Sequence, residues 1–291
     1  MSRLKPRSPA RDVARAAFAD ALGRLVRQDP LLRRDPNEDA VHDARVAVRR
    51  LRSDLRTFRS LLDEAWARGL SARLRWLQDG FAAARDADVL LTRVRRHARL
   101  LCDDDRARAA EMLAVFREER DAAYARMRAM LDDRRYAALL REMIDLVKSP
   151  RCSALADEPA CEVIPPILGD AWSALRKRVR RRARPPSDSE LHHIRIAAKR
   201  VRYAAEAVAP LAGRRARALA RTVEAVQTVL GEQHDAVIAG ARLRASALDG
   251  TAFVAGELAM IEQRDAVDRR RAWRHAWRDA ERAHRRLRRA L

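Results

Sequence analysis

The sequence predicts an all-α fold: two antiparallel helical bundles made by an internal duplication. Three observations predict it. Helix formers dominate, because the apolar 48% of the 291 residues is mostly Ala, Leu and Val, while aromatics are 4% and glycines number nine. The β-branched and aromatic residues that favour strands are correspondingly thin. Apolar positions recur at threes and fours, as in Leu51, Leu55, Phe58, Leu61 and Leu62, which is the spacing of an amphipathic helix. Finally, "VHDARVAVRRLR" at 41–52 returns as "LHHIRIAAKRVR" at 191–202, an offset of 150 with five of the twelve positions identical and four conservatively replaced.

In chain order, "QDPLLRRDPNED" (28–39) breaks an opening helix, and "RARPPSDSE" (182–190) breaks its counterpart. Leu25 aligns with Leu175, Arg27 with Lys177, Pro36 with Pro186 and His42 with His192. Asn37 or Glu38 with Asp39 opens the next helix. Ser187 with Asp188 and Glu190 opens the matching one, all N-cap and first-turn residue types. The first half is then read as helices near 64–79, 85–101, 104–131 and 134–148, the second near 214–231, 233–247, 252–262 and 264–290. The helix-poor "KSPRCSALADEPACEVIPP" (148–166) lies at the midpoint. The expected organisation is a first half at 1–148, a linker at 149–162 and a second half at 163–291. Long helices with short connections imply antiparallel neighbours.

The formal net charge is +21, spread over both halves, and all the cations except Lys5, Lys148, Lys177 and Lys199 are arginine. Such a field favours a polyanion: nucleic acid, an anionic membrane surface or a phosphate polymer. The alternative is a solvated arginine surface. Cys102, Cys152 and Cys161 have no CxxC spacing and are expected as reduced, buried thiols of a cytoplasmic protein. The basic N-terminus lacks an apolar run behind it, so no secretory signal is expected. No stretch approaches a membrane span.

His42, Arg45, Arg49 and Arg52 fall within roughly 80° of arc on a helix and run about 15 Å along its axis. His192, Arg195, Lys199 and Arg202 repeat the stripe. Val41, Val48, Leu51 and Leu55 take another face, suited to the bundle. Like charges at i,i+3 and i,i+4 destabilise an isolated helix by about a few tenths of a kcal/mol per pair. Placing that strain twice at matching positions makes sense if an extended anion lies along the stripe. The anion should also raise the pKa of His42 and His192 and couple binding to proton uptake. His193 stands where the first copy has Asp43 and reads as a bystander.

"VHDARVAVRRLRSDLRTF" and "LHHIRIAAKRVRYAAEAV" resemble the two signature helices of the CHAD domain, the histidine-bearing α-helical domain. "FAAARDADVLL" (81–91) and "VQTVLGEQHDAVIAG" (226–240) resemble two further segments of that family. The resemblance covers about 10–290. It implies two helical bundles about a pseudo-twofold axis and binding of inorganic polyphosphate along a basic central surface. It implies a stand-alone member, since no acidic, strand-rich triphosphatase region is visible. It places His42, Arg45, Arg49, Arg50 and Arg52 against the polymer, with His192, Arg195, Lys199, Arg200 and Arg202, and lets Arg27 and Lys177 extend the surface. His234 departs from the family pattern, which more often has another polar residue before Asp235.

Arginine suits this ligand because its planar fork stays charged and takes phosphate oxygens bidentately. Readers of bases want exposed aromatics or base-edge donors, and Tyr203 and Trp76 read as core. Nonspecific DNA affinity is expected at low salt, so a nucleic-acid-binding architectural protein is one competing reading. A metal-dependent phosphohydrolase is another, from His42-Asp43, His234-Asp235 and Glu281-x-x-His284. Against it, the copied histidine is followed by His193 and arginines surround each motif. Asp86, Asp88 and Asp235 are expected to cap helices or hold arginines. The C-terminal helix is expected to be solvated or to cap a bundle. The expectation is a non-enzymatic polyphosphate binder without cofactor or metal, cytoplasmic and associated with polyphosphate granules.

Overall fold

The computed structural model describes residues 4–246 and 250–289. Its helices are α1 Ala10–Arg34, α2 Glu38–Thr57, α3 Glu64–Ala98, α4 Asp103–Asp132, α5 Arg134–Lys148, α6 Ala160–Arg181, α7 Asp188–Ala245 and α8 Ala252–Arg288. Among the described residues there is no strand, only isolated bridges at Pro9 with Pro159 and Leu62 with Cys152. The fold is all-α.

Local chemistry sets the starts of the two stripe helices. The Asn37 side chain accepts from the Ala40 N–H at 2.8 Å. Ser187 makes a reciprocal capping box with Glu190. Each satisfies N–H groups that a helix start leaves without partners. Helix starts at Ala10 and Ala160, and at Glu38 and Asp188, stand 150 residues apart. Within α7, Gly213 adopts φ 63° and kinks the helix. Glycine takes that left-handed conformation without the Cβ clash other residues meet. Residue 214 then stands 150 after Glu64, the first residue of α3.

Three expected breaks are absent. Helix α3 continues through the stretch near 80, the second limb of α7 through 232, and α8 through 263. The expected ends at 247 and 290 lie outside the described residues. Gly80 is a packing residue, since a Cβ there would run into the Met130 sulfur of α4. The 149–162 stretch carries a 3-10 turn at Ala154–Asp157 and the first three residues of α6.

Burial follows the apolar spacing. Phe18, Phe58, Phe81, Tyr136 and Trp273 are almost fully enclosed in one core that draws on both halves of the chain. A smaller core, with Leu90, Met112, Phe116, Leu243 and Leu258, joins α3 and α4 to α7 and α8. The thiols depart from expectation: Cys102, Cys152 and Cys161 are all exposed. Each lies at or just before a helix start or in the midpoint connection, away from the periodic apolar positions that build the core. The C-terminal helix packs as well as caps, with Trp273, Trp277, Ala280 and Leu287 buried and Trp277 stacked on Trp172 at 5.2 Å.

Candidate functional site

Helices α2 and the first limb of α7 meet along their repeated motifs. Val41, Ala44, Val48 and Leu51 of α2, and Leu191, Ile194, Ala198 and Val201 of α7, are buried. Burying those faces turns both stripes toward a shared space. Arg45, Arg49, Arg195 and Lys199 converge there, each within electrostatic reach of the others across the seam. The Arg49 Nε–H donates to the Tyr203 hydroxyl at 3.2 Å, a hydrogen bond from one motif to the other. Two carboxylates border the cluster. Asp86 accepts from Arg45 at 3.2 Å, and Asp235 bears on Arg195 and Lys199. Four basic side chains therefore face two acids.

The excess shows in the protonation equilibria. Lys199 is pushed down to about 6, first by burial, then by Arg49, Arg195 and Arg45, with Asp235 opposing. His192 is pushed down to about 4 by burial, His234, Arg195, Lys199 and His193. His42 is lowered by burial and by Arg85 and Arg49, against the pull of Asp43. His234 is lowered by burial and Arg195, with Asp235 opposing. Burial disfavours charge, and neighbouring cations disfavour more of it. Two buried polar atoms here, His192 Nδ1 and Arg195 Nε, have no hydrogen-bond partner. Such groups are costly to leave unmet. Gly231 packs beside Arg195, where a Cβ would stand 3.4 Å from Arg195 Nε, at van der Waals contact.

The other residues of the stripes separate. Arg50 turns to Glu206 at 2.8 Å, with Asp20 at 3.6 Å and Asp54 at 3.9 Å, and is mostly buried. Arg202 is held by Glu206 at 2.7 Å and Glu224 at 3.0 Å. Both are thus engaged by carboxylates. Arg52 donates to Gln78 Oε1 at 2.6 Å. Arg200 lies near Arg56 and Arg178. Arg27 and Lys177 are exposed on α1 and α6.

Sequence reasoning passed over Arg85 and named His234 only as a departure from the family pattern and in a competing metal reading. His234 stacks obliquely on His192 at 4.3 Å between centroids, and Arg85 bears on His42. Both come from segments singled out for other reasons, and only the return of α3 and of the second limb of α7 brings them to the stripes. His193 is exposed. Asp86 and Asp88 hold arginines as expected, Asp88 accepting from Arg120 at 2.8 Å and from the Tyr124 hydroxyl at 2.8 Å. Tyr203 is core, and Trp76 is half-buried beneath the Arg135 guanidinium at 4.7 Å. His284 stacks on Trp172 at 4.0 Å.

Comparisons with known proteins agree with this architecture. The CHAD domain family model matches residues 16–244. Uncharacterized proteins from two strains of Mycobacterium tuberculosis are each 31% identical over 264 residues, 87% of this chain. The chain spans about half the length of these curated relatives, 48% of each. The crystal structure of the CHAD domain from the plant Ricinus communis superposes with a TM-score of 0.80 at 24% identity, covering 96% of this chain and 94% of that one. PptA from Streptomyces chartreusis superposes with a TM-score of 0.74 at 22% identity, covering 93% and 100%. At these identities the two structures speak to the fold.

Proposed function

The chain belongs to the CHAD domain family, and from that premise we propose that it binds inorganic polyphosphate along the seam between α2 and the first limb of α7. The observation that carries the reading is the central cluster: Arg45, Arg49, Arg195 and Lys199 against Asp86 and Asp235, with Arg195 Nε and His192 Nδ1 unmet. Apposing that many cations costs free energy that a chain of phosphates returns through bidentate, charge-assisted hydrogen bonds. The protein acts by binding and not by cleavage. The histidines of the site face arginines, which repel the divalent ions a phosphohydrolase gathers. In the cell it acts as a cytoplasmic protein of polyphosphate granules. Among the described residues no helix is long and apolar enough to cross a membrane.

A reader of nucleic-acid bases fits the site less well. Tyr203, the aromatic of the seam, is 1% exposed and offers no face for stacking. Competition at physiological salt between long-chain polyphosphate and duplex DNA of equal total charge tests the reading. Polyphosphate is expected to bind at micromolar or tighter Kd, to win, and to lose affinity linearly in the logarithm of salt, as counterion release requires. Preference for DNA, or phosphate release from the polymer, overturns it.

A further inference from the structure

Offset by 150 residues, the ion pair of Arg50 with Glu206 corresponds to the pair Arg200 and Arg56, which lie within electrostatic reach of each other. The two contacts have opposite character. At the first, Glu206 neutralises Arg50 at 2.8 Å and Arg202 at 2.7 Å, and Asp20 and Glu224 add further acid, while burial pushes the neighbouring Asp54 carboxyl up to about 8 and keeps it largely protonated at neutral pH. At the second, arginine meets arginine. Arg56 bears on both Arg200 and Arg52, and Arg178 and Arg75 stand close by. Among the described residues no ion pair ties Arg52, Arg56, Arg75, Arg178 or Arg200 to a carboxylate; Asp79 is the acid that bears on Arg52.

The second place is also hollow. A groove of about 530 Å³ lies between the end of α2 and the start of α3, where Arg52, Arg56, Arg59, Arg68 and Arg75 line it with Glu64. Glu64 is engaged by Arg68 at 3.0 Å. Arg52 Nε is buried there without a hydrogen-bond partner. The corresponding residues of the second copy are Glu206, Ala209, Ala218 and Ala225 for Arg56, Arg59, Arg68 and Arg75. The arginine lining of the groove therefore belongs to the first half and is not repeated in the second, although the stripes exist twice.

We infer that this arginine groove is a second phosphate-binding subsite, and that a polyphosphate chain leaves the central cluster in one direction, past Arg52 and Arg200 into the groove. The inference rests on the proposed binding of polyphosphate and adds its polarity. At Glu206 the arginines are already neutralised and offer a polyanion no free cation, so the chain has one favourable exit. Arg45 to Arg56 spans about 16 Å along α2, beyond the reach of a tripolyphosphate seated in the cluster. The groove should act only on longer chains.

Arg56 and Arg75 are exposed, so the double variant Arg56→Gln with Arg75→Gln should keep the fold. It is compared with wild type and with Arg45→Glu/Arg195→Glu, by titration with tripolyphosphate and with long-chain polyphosphate. The groove variant is expected to bind the long chain about tenfold more weakly, with a salt slope smaller by about 1.4, two phosphate contacts at about 0.7 each. Its tripolyphosphate affinity should equal that of wild type. Unchanged long-chain affinity and slope overturn the groove while leaving the central site standing. Equal loss for both ligands also overturns it, because the arginines then act only through the general field. Wild type that binds neither ligand, or that binds no better than the central variant, overturns the polyphosphate reading and the groove with it.

Discussion

Two of the clusters of charged side chains in this protein have opposite arithmetic. Between α3 and α8, Arg93 donates to Glu262 at 3.0 Å and to Asp265 at 2.7 Å. His97 Nδ1 lies 2.9 Å from the same Glu262, which is fully buried. Acids match cations there. Between α2 and α7, Arg45, Arg49, Arg195 and Lys199 meet with only Asp86 and Asp235 beside them. The shifts follow: Arg93 is held above its ordinary range by the hydrogen bonds it donates to Glu262 and Asp265, which outweigh its burial, while Lys199 is pushed down to about 6. A cluster built for the fold is neutral in itself. A cluster left with surplus charge is completed from outside.

The widest separation between the two should come from charge reversal. Arg45→Glu with Arg195→Glu should abolish polyphosphate binding while leaving helical content and Tm near wild type. Truncating one partner of a buried charge pair at an interface costs about 2–5 kcal/mol, so two reversals should weaken binding at least about a thousandfold. Reversal of Arg106 and Arg108, on α4 and away from the stripes, should change affinity little. An equal loss from both pairs would mean that the bulk field of +21 suffices and the seam is not special.

Arg93→Ala should behave in the converse manner. It leaves Glu262 buried at 0% exposure without its guanidinium, a loss of about 3–5 kcal/mol in chemical unfolding. Polyphosphate affinity of the folded fraction should stay as it was. A variant of wild-type stability would show that Arg93 does not anchor α8 on α3.

The same contrast explains what the sequence made legible. The stripe helices, their caps at Asn37 and Ser187 and the offset of 150 are local patterns, and each could be read without a partner. The sorting of the arginines could not. Arg49 and Arg50 are neighbours in sequence, yet one reaches Tyr203 and the other Glu206, and the difference is supplied by α7. Gly80 and the stretches at 232 and 263 looked like breaks because local propensity has no knowledge of Met130 or of the packing that carries helices α3, α7 and α8 through them. His234 joined the site only through the kink at Gly213, which turns the second limb of α7 back along the first. Its signal in the sequence was slight: a histidine before Asp235 where the family pattern more often has another polar residue.

The smallest expected effect sharpens the comparison most, because it asks which group takes up a proton when the surplus is neutralised. The motif histidines suggested themselves from the sequence. In the unliganded site, however, His192 is pushed down to about 4, whereas Lys199 sits at about 6. Lys199 is faced by Arg45 and Arg49 from α2, by Arg195 from its own helix and by Asp235 from the second limb of α7. A bound polyanion reverses the balance of those charges and raises the lysine toward its ordinary range. With the bound-state pKa above the free-state value, binding takes up a proton between the two. The affinity gained is full below about pH 6 and is lost as pH rises toward the bound-state value, by up to about tenfold per pH unit for one proton. Calorimetry at pH 7.5 in two buffers of different ionisation enthalpy should therefore record an uptake approaching one proton per site. Lys199→Arg, which stays charged throughout, should abolish most of that uptake and flatten the dependence between pH 6.5 and pH 8. His42→Gln with His192→Gln should leave most of it in place. If the histidine pair removes the uptake and the arginine variant keeps it, the surplus charge is relieved at the imidazoles and Lys199 is a fixed cation. If wild type takes up no proton at all, the four cations are already charged in the free protein, and the seam stores less repulsion than its geometry implies.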